Sequence, residues 1–164
     1  LSDFYKSYNS LLKNKKLIDF TIENNIELIF FGHMKMYKFM KLFEFQNLKL
    51  IKPGEININH LLMKSKVLVT DYSSVAWDFY YMKKPVCFYH FDQDKFLETH
   101  GSYLDLNKEI FGSVIKTEDK LVDKIIESYF NKNNKNIEKE FFEYNDKRNS
   151  ERIFKNIKDY LGWY

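Results

Sequence analysis

Short apolar runs recur along this chain, each closed by a turn signal and followed by a segment of helical spacing, and that alternation constrains the fold most. Ile26 to Phe31 is apolar apart from Glu27 and stops at Gly32; Leu48 to Ile51 is closed by Pro53 and Gly54. Lys66 to Thr70, Pro85 to Tyr89 and Ser113 to Lys116 are further runs of strand length. Phe4 to Asn24 sets Tyr8, Leu11, Leu12, Ile18 and Ile22 at helical spacings and predicts one amphipathic helix. Helices are also predicted over His33 to Phe45, over Ile58 to Met63 with Asn57 or Asn59 near its cap, and over Ser74 to Met82. Another runs from Thr117 to Phe130, with Glu118 and Asp119 in the first turn, where the helix dipole favours acids. Tyr89 to Phe111 reads as loop-rich. The polar break Asn131 to Asn136 precedes two last helical segments, Ile137 to Tyr144 and Ser150 to Leu161.

Strands alternating with helices of this length predict an α/β fold: a Rossmann-like parallel sheet with helices on both faces and a helical C-terminal tail. The expected division is a nucleotide-binding domain over 1–130 and a tail over 131–164 packing on the same domain. A chain of 164 residues, 45% hydrophobic, is long enough for one sizeable core. Its 16 Phe and 12 Tyr go with plentiful Lys, Asn and Ile, a bias that AT-rich codons produce without any stacking surface. The net charge of +3, from 26 basic and 23 acidic side chains, is too mild and too mixed for a nucleic-acid partner. Cys87 lies alone in an apolar run, as a small buried hydrophobe does, and permits no internal disulfide, which fits a reducing cytoplasm. No apolar run approaches the roughly 18–20 residues of a spanning helix. The start, Leu1-Ser-Asp-Phe4, has no initiator Met, basic region or apolar signal core, so the chain is expected to be part of a longer protein.

Open parallel sheets bind ligands beyond the carboxyl ends of their strands. After Thr70 comes Asp71-Tyr-Ser-Ser74, then a helix: unpaired backbone N–H groups with the hydroxyls of Ser73 and Ser74 beside them would hold a phosphate without a metal. Asp78, four residues past Ser74, faces the same way and would accept from ribose hydroxyls or orient the serines. On these residues alone, a phosphate site and an ordinary helix cap fit equally well. His33, just past a strand end at the same sheet edge, is an acid/base candidate because imidazole titrates near neutrality. His90 and His100 are weaker candidates for the same cleft, and His60 reads as surface. Asp92-Gln-Asp94 matches the Asp-x-Asp of metal-dependent glycosyltransferases, but three residues are a cheap match. Lys147, Arg148 and Arg152 read as a solvated helix face. The chain carries no zinc-ligand spacing, Walker loop, Gly-x-Gly-x-x-Gly or Gly-x-Ser-x-Gly.

Val67-Leu-Val-Thr-Asp-Tyr-Ser-Ser-Val-Ala-Trp-Asp78, followed by Lys84-Pro-Val-Cys-Phe-Tyr89 and Asp92, resembles the CDP-glycerol glycerophosphotransferase family, bacterial enzymes that prime or polymerise teichoic acids and related capsular polymers. Weaker similarity continues through Gly101 to Asp105, Gly112 to Ile115 and Asn149 to Ile153, so the resemblance covers about Ile26 to Leu161. It implies a two-domain GT-B fold with this chain as the C-terminal, donor-binding half. It also implies a CDP-glycerol or CDP-ribitol donor, transfer of the alditol phosphate to a polymer hydroxyl, departure of CMP, and no metal or other cofactor. By position, Ser73 and Ser74 would hold the donor phosphates, Asp78 would support them, and His33 would be the catalytic histidine at the pyrophosphate. Phe31-Gly32 and Met34 replace the basic-Pro and Pro that flank this histidine in the family, and His100 stands where the family has Arg before Gly101. The family's N-terminal half, absent here, would supply a second histidine and the surface for a lipid-linked acceptor. The intact protein would then sit peripherally on the cytoplasmic face of the plasma membrane, and this chain alone would turn over little. The departures at His33 and His100 keep open a GT-B donor domain using a nucleotide sugar in capsule or lipopolysaccharide synthesis, and an inactive scaffold domain is a second alternative.

Overall fold

The computed structural model describes residues 2–163 apart from 44, 46, 53, 103, 108, 109 and 132–140. The segment expected as one helix from Phe4 to Asn24 forms two, α1 (Asp3–Leu12) and α2 (Lys15–Glu23). Asn14 is the reason: its side-chain oxygen accepts the Leu17 N–H at 3.2 Å and starts a new helix, as Ser2 does for α1. The remaining elements are β1 (Leu28–Phe31), a 3₁₀ helix (Met34–Phe43), β2 (Leu48–Ile51), α3 (Ile58–Lys64), β3 (Leu68–Thr70) and α4 (Val75–Tyr81). They continue through β4 (Val86–Tyr89), α5 (Gln93–Thr99), β5 (Ser113–Ile115), α6 (Glu118–Phe130) and α7 (Asn149–Leu161). The helix expected after His33 is thus a 3₁₀ helix, and the stretch expected to be loop after Tyr89 contains α5. The helix expected over Ile137 to Tyr144 lies partly outside the described residues, and its last four positions are turn and irregular backbone.

Every described strand pair is parallel, as expected, but the hydrogen bonds divide the strands into two sheets, β1-β2 and β3-β4-β5. Helices cover both faces of the larger sheet, and the period of two along β4 shows how. Cys87 and Tyr89 point into one core cluster with Tyr8, Leu11, Leu17, Leu121 and Val122, under α1, α2 and α6. Val86 and Phe88 point into the other, with Leu62, Ala76, Phe79 and Phe111, under α3 and α4. Two glycines permit close approaches. A Cβ on Gly32 would lie 2.2 Å from the sulfur of fully buried Met40, so the 3₁₀ helix folds back onto the end of β1 only over a glycine. Gly112 has φ +84, and a Cβ there would lie 2.6 Å from the Val86 carbonyl, at the entry to β5.

Beyond the undescribed stretch, Phe141 packs edge to face with Trp77 and Tyr80, Phe142 stacks on Tyr80, and Asn145 donates to the Tyr81 carbonyl at 3.0 Å. The guanidinium of Arg152 lies over Tyr144 and pairs with Asp146, whose carboxyl it holds down at about 2. Helix α7 buries none of its own residues and presents Ile153, Phe154, Ile157, Tyr160 and Leu161 to solvent.

Candidate functional site

At the carboxyl ends of β3 and β4, the turn at 71–74, helix α5 and the segment beyond it enclose a cavity of about 600 Å³. Asp71, Tyr72, Ser73 and Ser74 form one wall and His100, Gly101 and Ser102 another, with Trp77, Leu104 and Phe111 as an apolar end. Ser74 occupies the N-cap position of α4, yet its side chain makes no capping hydrogen bond. The ordinary-cap reading of that serine therefore does not describe the turn. Asp71 instead secures the turn from within: its carboxylate accepts the Tyr72 N–H at 2.7 Å, and burial raises its pKa against the lowering effect of backbone hydrogen bonds.

Tyr72 anchors the turn through a column of four rings. It lies between His90 (centroids 4.4 Å apart, 22° between planes) and Phe96 (3.6 Å, 7°), and Phe96 stacks in turn on His100 (5.1 Å, 10°). The Tyr72 hydroxyl donates to Asp92 at 3.1 Å, and burial together with that carboxylate pushes the phenol's pKa well up, so it stays a donor. At the outer end of the column, Thr99 Oγ1 lies 2.8 Å from the Lys95 carbonyl and 2.7 Å from His100 Nδ1. With its single proton on the carbonyl, the hydroxyl accepts from His100 Nδ1–H. At the inner end, His90 is fully buried, its Nε2 lies 3.2 Å from the Asp71 carbonyl, and burial lowers its pKa.

Of the residues singled out in the sequence, the structure brings Asp71, Ser73, Ser74 and His100 to one cavity, and His90 with them. Asp78 is exposed on α4 outside the cavity lining, and His33 is exposed at the end of β1, its Nδ1 accepting the Lys35 N–H at 3.2 Å. His60 is exposed on α3. Asp92 is engaged with Tyr72 and Asp94 lies in the first turn of α5; among the described residues no three His, Cys, Asp or Glu gather as a metal-holding group. Cys87 is fully buried, and burial raises its thiol, as befits a core residue. The Lys-Pro part of the motif is architectural: Lys84 Nζ donates to the carbonyls of Leu62, Met63 and Ser65 at 2.6 to 2.9 Å, closing the end of α3. Sequence reasoning missed Tyr72, Phe96 and Ser102, because their roles depend on α5, which lacks a side-chain cap to announce it. The aromatic Tyr72 between Asp71 and Ser73 was the signal at hand.

The family model described as CDP-Glycerol:Poly(glycerophosphate) glycerophosphotransferase matches residues 2–159. The minor teichoic acid biosynthesis protein GgaB of Bacillus subtilis is 33% identical over 95% of this chain, which spans 18% of that protein. The teichoic acid glycerol-phosphate transferase of Staphylococcus aureus is 43% identical over 41% of the chain and 18% of its own length. Among solved structures, a variant of the wall teichoic acid polymerase TagF superposes with a TM-score of 0.63 over 92% of this chain and 39% of that one, at 22% identity. A second TagF variant, soaked with CDPG, gives 0.55 over 88% of this chain and 33% of that one. The fold is accordingly TagF-like, a GT-B type half, and the chain covers only a fraction of each relative's length. No helix among the described residues is long and apolar enough to cross a membrane. With the motif, the serine turn and the family match falling on the same residues, this chain belongs to the CDP-glycerol:poly(glycerophosphate) glycerophosphotransferase family.

Proposed function

We propose that the cavity at 71–74 holds the diphosphate of CDP-glycerol or a related CDP-alditol, and that this chain is the donor-binding half of a transferase acting on a surface polymer. One observation carries the reading: the serine turn, with the Ser74 hydroxyl unused by its helix, opens into a cavity at the carboxyl ends of the parallel strands, in a chain of this family. Transfer joins the acceptor hydroxyl oxygen to the phosphorus bearing the alditol, while the bond to the bridging oxygen breaks and CMP leaves. Such chemistry depends mostly on positioning and on stabilising charge at phosphate oxygens. Ser73 and Ser74 donate to those oxygens, His100 contacts them from the opposite wall, and the apolar end at Trp77 and Phe111 takes the less polar part of the donor. Asp78 supports the serine site from one turn along α4, and His33, at the end of β1, handles the proton. No metal takes part.

The lipid-linked acceptor, and with it a peripheral position on the cytoplasmic face of the membrane, belongs to portions of the intact protein outside this chain. Residues 1–130 form the nucleotide-binding domain and 131–164 its tail. His100, standing in the cavity where the family pattern has Arg, favours a second reading in which the donor is a nucleotide sugar. Calorimetric titration with CDP-glycerol in EDTA tests the first reading. Binding should persist without divalent cations, and Ser74→Ala should weaken it about ten- to a hundredfold, the worth of a hydrogen bond to a charged group. Dependence on a divalent cation, or full affinity in Ser74→Ala, contradicts it.

A further inference from the structure

Beneath the serine turn, two polar atoms are sealed from solvent without a partner: His90 Nδ1 and Gln93 Oε1, in residues 0% and 3% exposed. A buried imidazole or amide left unpaired is costly, and neither atom is open to water, so the partner must be protein. The two residues lie three apart in sequence, and the Gln93 side chain sits beside the His90 ring, where its amide as placed favours the protonated imidazole. The opposite nitrogen, Nε2, faces the Asp71 carbonyl at 3.2 Å and must carry a proton to meet it. In a neutral ring, Nδ1 then offers a lone pair, which asks for a donor. An amide presents its oxygen and nitrogen in the same outline, so Gln93 can turn its NH2 to Nδ1. Its oxygen then faces Asn107, the residue 3.0 Å away that Gln93 already contacts, and the Asn107 amide turns with it to donate. Both orphans are satisfied at once.

We propose that His90 is the positioning residue of the 71–74 turn: a neutral Nε2–H imidazole that donates to the Asp71 carbonyl, accepts from Gln93, and packs its face on Tyr72. The relay Asn107–Gln93–His90–Asp71 ties the serine turn to the start of α5 and the segment beyond it, so Ser73 and Ser74 meet the donor phosphates in a fixed frame. Burial against Tyr72 and Phe88, which holds the imidazole below its usual range, agrees with the neutral ring. The effect on ligand rests on the donor-site reading above; the tautomer and the tie to the turn do not.

The test starts with long-range proton–nitrogen correlation on the histidine-labelled chain at neutral pH, without nucleotide. A protonated Nε2 with a bare Nδ1 is expected; a doubly protonated ring or the Nδ1–H tautomer overturns the proposal. Gln93→Glu sets a carboxylate against Nδ1 and should convert the signal to the doubly protonated ring; an unchanged signal means that Gln93 is not the partner. His90→Phe keeps a ring on Tyr72 and removes both ring nitrogens, the Nε2–H donor to Asp71 and the Nδ1 acceptor for Gln93. Amide exchange at 72–76 should quicken about tenfold, and CDP affinity should fall about tenfold, the value of one buried hydrogen bond. Unchanged exchange, or unchanged affinity where the parent chain binds CDP, refutes the positioning role. A parent chain that binds no CDP refutes the donor-site reading instead, while the tautomer and exchange data still decide on His90. If His90→Phe does not fold, Gln93→Glu carries the affinity comparison.

Discussion

At the serine turn, fully buried His90 and half-buried Asp71 contribute to the acid stability of this chain with opposite signs. Burial keeps the folded imidazole of His90 below its ordinary value. Below about pH 6.5 the unfolded chain takes up a proton there that the folded chain refuses, so stability falls as pH drops from about 6.5 toward the folded value. Asp71 works the other way: its raised carboxyl binds a proton in the folded state first, which favours the fold as pH falls toward the ordinary carboxylate range. Urea midpoints measured between pH 7 and 5 should therefore decline in the parent chain and decline less in His90→Phe. An equal decline in both would place the sensitivity elsewhere. The placement of Asp71, Ser73 and Ser74 at one cavity was legible because a serine pair after a buried strand is a local signal. The roles of His90 and Tyr72 were not, because they come from ring stacking and a carbonyl contact between segments about 20 residues apart.

Among the elements, the strands were the most readable. Short, mostly apolar runs mark buried parallel strands, and all five strands lie where those runs are. Two kinds of information were not in the pattern. One is a cap inside a periodic stretch: Asn14 divides the first helix, although the apolar spacing runs on across it. The other is a short helix without a side-chain cap, as in α5, which is held by ring contacts rather than by its own signals. The division into two sheets was also hidden, since hydrogen-bond partners are set by tertiary placement. Gly112 shows how tightly an element entry is specified. With φ +84 and the Val86 carbonyl 2.6 Å from any Cβ, Gly112→Ala should destabilise the chain by about 1–3 kcal/mol, the cost of left-handed backbone strain and a displaced neighbour. Chemical denaturation checks this, and a stability within about 0.5 kcal/mol of the parent would contradict the packing described at β5.

At the scale of the whole molecule, the chain spans a fraction of the relatives it matches, 18% of GgaB and 39% of the TagF structure. The apolar face of α7 and the exposed Met34, Tyr37, Phe39 and Leu42 of the 3₁₀ helix are left uncovered on this chain. Donor binding should consequently be present in isolation and transfer absent; incubation with CDP-glycerol and a teichoic acid primer should release no CMP above the background. Turnover at a rate of about 1 s⁻¹, ordinary for an enzyme, would show that the acceptor machinery lies within these residues after all. The most direct test of the central claim is an amide-shift titration of the isotope-labelled chain with CDP-glycerol and, in parallel, a UDP-sugar. The account predicts shifts concentrated at 71–74 and 100–102 with preference for the cytidine donor, and their loss in Ser74→Ala. Preference for the UDP-sugar, or a folded chain with no shifts at those residues, would contradict it.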